Sequence, residues 1–267
     1  FKGKIPVYFR GDSTLIDEVS GIKTILRRIW LKFVYRYIDI AFYVGEQNKH
    51  YFHKHGLKES QLRFAPHAID NSRFIDTNGN YENEAQLQRK ALGFKESDLV
   101  FLFVGKFERK KNPVLLIEAA KFFPEHKFLF VGNGDFENEM KQKASKNVYF
   151  LPFQNQSQMP MVYRLGDIYV LPSKGPGETW GLAVNEAMAC GKAVIVSNRV
   201  GCAVDLVKNN ENGFIFETEN LDDFVEKIKK INRDNVKQFG KKSREILKDW
   251  SFVKMAEAVE LKIIKNQ

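Results

Sequence analysis

Glu178 and Glu186, with seven residues between them, stand in the segment LPSKGPGETWGLAVNEAMACGKAVIVS at 171–197. There an apolar run enters a Gly/Pro loop and a helical pattern leaves it. Carboxylates accept hydrogen bonds from hydroxyl groups. The backbone N–H groups of Thr179, Trp180, Gly181 and Leu182, at the positive end of the following helix, suit a phosphate instead. Two glutamates flanking one anion site therefore point to a phosphate ester that also carries hydroxyls. Glu186 is followed by Ala187, Met188 and Ala189, small or apolar neighbours that an outer, solvated helix face would not favour.

A second element, GKFERKKNP at 105–113, follows another apolar run. It opens on Gly105 and carries Lys106, Arg109, Lys110 and Lys111 ahead of a helix start at Asn112 and Pro113. Cations grouped beside a helix N-terminus fit a diphosphate. A third, VGNGD, supplies Gly132, Asn133 and Gly134, whose glycines allow close backbone approach or a simple turn. Any one of these is an ordinary loop by itself. Their common position after apolar runs gives them meaning, because parallel strands deliver their following loops to one edge of a sheet.

The elements that must do this positioning are visible as an alternation. Strands are predicted at 99–104, 127–131, 148–151, 168–171, 193–197 and 213–216. Helices are predicted from 113, at 136–145, 161–165 and 182–190, and from 221. This is the grammar of a doubly wound parallel α/β domain. A shorter block repeats it, with strands at 5–9, 38–44 and 63–65, and the Asn-rich stretch at 76–84 reads as a linker. Between Val19 and Ile38 lie Lys23, Arg27, Arg28, Lys32 and Arg36, interleaved with Ile22, Ile25, Leu26, Ile29, Trp30, Phe33, Val34 and Tyr37 and with no acidic residue. The expectation is a crossover helix whose apolar side packs on the sheet. Its basic outer surface would touch an anionic membrane without insertion.

The 267 residues carry a net charge of +9, which favours anionic partners: nucleotides, sugar phosphates, nucleic acid or an acidic membrane. The charge is spread along the chain, without a recognition-helix signature or a stacking aromatic repeat, so no nucleic-acid partner is expected. A basic nucleic-acid-binding module is the rival reading from another class. Cys190 and Cys202 have no metal-like spacing, and a reducing cytoplasm is the expected setting. No P-loop sequence and no G-x-G-x-x-G occurs, which argues against P-loop NTPases and dehydrogenases. His50, His53 and His55 read as an exposed polar helix face. His67 fits a cleft or a buried structural position equally.

Together these residues resemble the retaining GT-B glycosyltransferases of family 4. The Glu-x7-Glu signature is met by Glu178 and Glu186, and the G-R-L-x-x-x-K-G stretch resembles Gly105-Lys106-Phe107 followed by Lys111-Asn112. FAPHAID-NSRF at 64–74 is similar to the end of the family's N-terminal domain, and DWSF at 249–252 to the start of its returning helix. The resemblance implies an α/β, GT-B-like fold of two Rossmann-type doubly wound domains. Residues 1–77 would be the rear part of an N-terminal, acceptor-side domain, 78–249 the nucleotide-sugar domain, and 250–267 a C-terminal helix returning to the first. About the first hundred residues of the usual N-terminal domain have no counterpart, so the first domain is expected to be incomplete.

The resemblance further implies a hexosyltransferase moving a sugar from a UDP- or GDP-sugar to a glycan or lipid-linked acceptor, at the inner face of the cell membrane. Another GT-B nucleotide-sugar enzyme, such as an epimerase, is the alternative. Lys106 and Lys111 would hold the diphosphate, Glu178 the donor-sugar hydroxyls and Glu186 the ribose. The N–H groups of Trp180 and Gly181, with Thr179 and Leu182 beside them, would meet sugar or phosphate, near Gly105, Gly132 and Asn133. Arg10 or Asp12 stands where many members have a histidine. No D-x-D occurs, so neither a metal nor another cofactor is expected, and catalysis would fall to Glu178, Lys106, Lys111 and Asp12.

Overall fold

A computed structural model describes residues 5–264, with side chains to residue 260. The chain divides into two compact units, one running to Ile69 and resuming at Asp249, the other spanning Asp70–Lys248. The division falls at 69/70 rather than at 77/78. Phe74 explains the shift, since it is buried in the second unit with its ring 6.2 Å from that of Tyr163.

The first unit holds β1 (Tyr8–Arg10), α1 (Ile22–Tyr35), β2 (Ile40–Tyr43), α2 (Glu46–Lys54) and β3 (Leu62–Phe64). The strands are parallel in the order β1-β2-β3, with Tyr8 beside Ile40 and Ala41 beside Leu62. Tyr35, Ile38, Ala41, Phe52 and Leu62 form its core, with Leu31 and Val34 of α1 packed against them. The packing of α1 departs from expectation. Ile22, Ile25, Leu26, Ile29, Trp30 and Phe33 are exposed, because the helix has only one side to give to the core and Leu31, Val34 and Tyr35 occupy it. His55 is also corrected: it is fully buried, with Nδ1 2.8 Å from the Tyr51 carbonyl.

The second unit starts with α3 (Asn80–Ala91), which replaces most of the expected linker. Asp76 accounts for this, because its carboxylate accepts from the N–H groups of Tyr81 at 3.2 Å and Glu82 at 2.7 Å. What reads as polar linker composition is a helix start. Arg89 of α3 then reaches Asp167 at 3.2 Å, and Asp167 accepts from the Val100 N–H at 2.9 Å.

The remaining elements alternate: β4 (Val100–Val104), α4 (Pro113–Ala120), β5 (Lys127–Val131), α5 (Glu137–Lys143), β6 (Val148–Leu151), α6 (Met159–Arg164) and β7 (Ile168–Leu171). After them come α7 (Leu182–Ala189), β8 (Ala193–Ser197), α8 (Ala203–Leu206), β9 (Gly213–Phe216), α9 (Leu221–Lys229) and α10 (Arg233–Leu247). All six strands are parallel, in the order β6-β5-β4-β7-β8-β9. The central strands are buried on both faces, as their unbroken apolar sequences require. Asn112 does precede α4, but with φ 49° and no side-chain cap bond. The final helix, α11 (Phe252–Ile264), belongs to the first unit, where Trp250 packs edge-on to Phe64 at 5.2 Å and the backbone of Ser251 bridges to Ile69.

Candidate functional site

Strand order reverses between β4 and β7, and the two loops singled out by sequence leave the carboxyl ends of those strands. Open α/β sheets bind ligands in the crevice at such a switch point. The loops are joined directly. The Lys174 N–H donates to the Lys110 carbonyl at 2.8 Å, and Lys111 Nζ lies 2.8 Å from Glu178 Oε2, which also accepts from Ser173 Oγ at 3.0 Å.

A cleft of about 250 Å³ lies here, lined by Gly105, Lys106, Lys111, Gly132, Asn133, Ala183 and Glu186. Its volume is just below the roughly 300–1,000 Å³ of pockets that enclose a whole drug-sized ligand, so it encloses part of one. Gly132 explains how its floor is built. A Cβ there would meet the Gly105 carbonyl oxygen at 2.0 Å, so the loops after β4 and β5 touch backbone to backbone only because position 132 has no side chain. The close approach expected of this glycine is to the neighbouring loop.

Glu186 faces the cleft from α7 with a hydrogen-bond partner that sequence reasoning missed. The Tyr163 hydroxyl donates to its Oε2 at 2.6 Å. Burial pushes the Glu186 carboxyl above the usual range, opposed by that hydrogen bond and by the charge of Arg73. Burial likewise pushes the Tyr163 phenol well up, so it stays a donor. Phe153, Gln154, Gln156 and Met159, after β6, complete the lining. Their signal was available: they too follow the carboxyl end of a parallel strand.

Glu178, Thr179, Trp180, Gly181 and Leu182 are not among the residues lining this cleft, although the Glu178 carboxylate pairs with Lys111 at its edge. The loop after β8 holds them. The Gly201 N–H donates to the Glu178 carbonyl at 3.1 Å, and the Cys202 N–H to the Trp180 carbonyl at 2.9 Å. The Trp180 indole is buried and donates to Asn185 Oδ1 at 2.9 Å. Gly181 begins α7 at φ 93°, a left-handed conformation that suits glycine. Asp12 belongs to the first unit, near Arg10 and His67. Burial and the Arg10 charge lower the His67 pKa, against the pull of Asp12, and Arg10 Nη2 donates to the Pro66 carbonyl at 3.4 Å.

A doubly wound parallel sheet with lysines and a half-buried glutamate at its switch point is an α/β architecture that places a ligand site at the carboxyl ends of its strands. Residues 84–249 match the family model described as Glycosyl transferases group 1, and the chain belongs to that family. It is similar to the Escherichia coli UDP-Gal:alpha-D-GlcNAc-diphosphoundecaprenol alpha-1,3-galactosyltransferase, with 30% identity over 75% of this chain and 53% of that protein. It is also similar to the Arabidopsis thaliana sulfoquinovosyl transferase SQD2, with 27% identity over 70% of this chain and 36% of that protein. The chain thus spans about half or less of the length of these relatives. Among solved structures, Anabaena HepE in complex with UDP superposes with a TM-score of 0.82 at 18% identity, covering 97% of this chain and 72% of that one. Sucrose-phosphate synthase from Thermosynechococcus elongatus gives 0.77 at 21% identity, covering 100% and 68%. The fold is that of the GT-B glycosyltransferases, built from Rossmann-like parallel sheets.

Proposed function

We propose that this chain forms the donor-binding part of a retaining glycosyltransferase. The enzyme takes a sugar from a UDP- or GDP-sugar and passes it to a lipid-linked or polysaccharide acceptor on the cytoplasmic side of a membrane. The observation that carries the reading is one cleft at the sheet's switch point lined by Lys106, Lys111 and the half-buried Glu186, beside the start of α7. Support comes from HepE, crystallised with UDP, and from the Escherichia coli relative, whose name gives UDP-Gal as donor and a diphosphoundecaprenol-linked acceptor.

In this reading Glu186 accepts from the ribose through Oε1, because Tyr163 holds Oε2. Lys106, Lys111 and the N-terminus of α7 serve the diphosphate. As the sugar leaves, the diphosphate gains negative charge, and groups already fixed in place stabilise it without reorganising. Glu178 orients Lys111 before the donor arrives and takes sugar hydroxyls once it has. These cations do the work otherwise given to a metal ion. Asp12, with Arg10 and His67, is assigned to the acceptor side.

Calorimetric titration with UDP and GDP tests the donor site. Lys111→Ala should lose a charge-assisted contact worth roughly 1.5–3 kcal/mol. Combining it with Glu178→Gln separates that loss from the unpairing of Glu178. Unchanged affinity for every nucleotide that binds the parent would overturn the assignment.

A further inference from the structure

The outer side of α1 is a single apolar stripe bordered by cations. At about 100° per residue, Ile22, Ile25, Leu26, Ile29, Trp30, Phe33 and Tyr37 fall within an arc of about 140°, opposite the packed Leu31 and Tyr35. All seven are exposed, Ile29 by 62%, Trp30 by 63% and Phe33 by 48%. Lys23 and Arg27 follow one border and Lys32 the other, while Arg36, the C-cap residue, falls inside the arc at the helix's C-terminal end. Glu18 takes Arg27 at 3.1 Å and Arg28 at 2.8 Å, while Lys23, Lys32 and Arg36 have no ion pair among the described residues.

We infer that α1 is an interfacial helix that lies in the plane of an anionic bilayer, its apolar stripe sunk among the acyl chains at the headgroup boundary and its border lysines and arginines on the lipid phosphates. Three observations choose this occupant. The stripe's Trp30 and Tyr37 are the side chains that settle at a membrane–water boundary. The flanking stems of Lys and Arg can lie along apolar surface while their charged ends stay at the headgroups. A second copy docking through the same stripe would bring like-charged borders together, whereas an anionic surface neutralises both. The helix is 14 residues long and no described helix is long and apolar enough to span a membrane, so α1 lies on the surface. The inference goes beyond the donor-site reading and stands on different residues.

Trp30 supplies the readout, because Trp180 and Trp250, the other two tryptophans, are buried. The whole chain is mixed with vesicles of phosphatidylcholine alone or with phosphatidylglycerol, at low and high salt, and followed by cosedimentation and tryptophan emission. The expected result is binding to the anionic vesicles only, weakened by salt, with a blue shift of the Trp30 emission. Each neutralised cation should weaken binding by about fivefold. The triple variant Lys23→Gln, Lys32→Gln, Arg36→Gln should therefore lose about a hundredfold, and Ile29→Ser with Phe33→Ser should lose binding and blue shift while keeping the parent's melting profile. Equal binding to neutral and anionic vesicles would overturn the electrostatic part. Absence of binding to either, or a concentration-dependent dimer that the serine variants dissolve, would overturn the membrane assignment. None of these readouts requires nucleotide binding or turnover, so they fail independently of the proposed function.

Discussion

Tyr163 and Glu186 show how one residue's setting fixes another's chemistry. A carboxylate taken out of water must be stabilised by hydrogen bonds or be protonated. The 2.6 Å bond from Tyr163 keeps Glu186 usable as an acceptor. Tyr163→Phe should cost roughly 1.5–3 kcal/mol of stability at neutral pH. It should also raise the pH at which nucleotide affinity is lost on acidification, since the Glu186 pKa would climb further. The parent carries its own signature. Because the folded pKa of Glu186 is raised, its contribution to stability is present below the ordinary glutamate value of about 4.3 and is lost as pH rises through the folded value. Glu186→Gln should therefore melt like the parent in acid and at a higher temperature above that window. Melting curves across pH check this, and a Gln variant uniformly less stable at every pH would show that Glu186 is not held as a strained carboxylate.

Elements meet in this site through backbone contact, which is why the second unit's strands are legible from sequence and the cleft only partly so. Five of its strands coincide with the apolar runs at 127–131, 148–151, 168–171, 193–197 and 213–216; the inner strands are buried on both faces and leave a continuous apolar signature, while β6 at the sheet edge is half-buried along its length. Gly105, Lys106, Lys111, Gly132, Asn133 and Glu186, singled out because parallel strands commit their following loops to one edge, do line one cleft. Tyr163 beside them was not legible, because a tyrosine in a short helix reads as core until its hydroxyl has a partner. Nor did anything in the residues near Glu178 announce that the loop after β8 would pair with their backbone. Such backbone pairings depend on long-range register, which local pattern does not carry. The contact between the loops after β4 and β5 is open to test. Gly132→Ala drives a Cβ toward the Gly105 carbonyl oxygen from a backbone with φ 149°. It should destabilise by roughly 1–3 kcal/mol and weaken nucleoside diphosphate binding as Gly105 and Lys106 shift. An alanine variant with parent-like melting and affinity would show that the two loops adjust independently of the cleft.

At the scale of the whole molecule, composition predicted a basic chain with no disulfide framework, and the structure gives the thiols a consistent setting. Cys190 and Cys202 are both buried in the second unit, 2% and 0% exposed. Burial pushes the Cys190 thiol up to about 11, against the charges of Arg164, Lys192 and Arg244, and holds Cys202 well above its ordinary value. The thiolate is the reactive form, and these thiols have neither the charge nor the access that reaction requires. The folded chain should therefore show no fast-reacting thiol with an aromatic disulfide reagent near pH 8, and both should react once denaturant unfolds the second unit. Their labelling rate then measures opening of the six-stranded sheet without interference from the first unit, which has no cysteine among its residues. Saturating nucleoside diphosphate should slow that labelling, since a ligand bound to the native cleft stabilises it by mass action. The melting midpoint should be the same with and without reductant. A thiol that reacts rapidly in the native protein, or labelling that nucleotide leaves unchanged at saturation, would separate these cysteines from the folding of the second unit and from its proposed donor site.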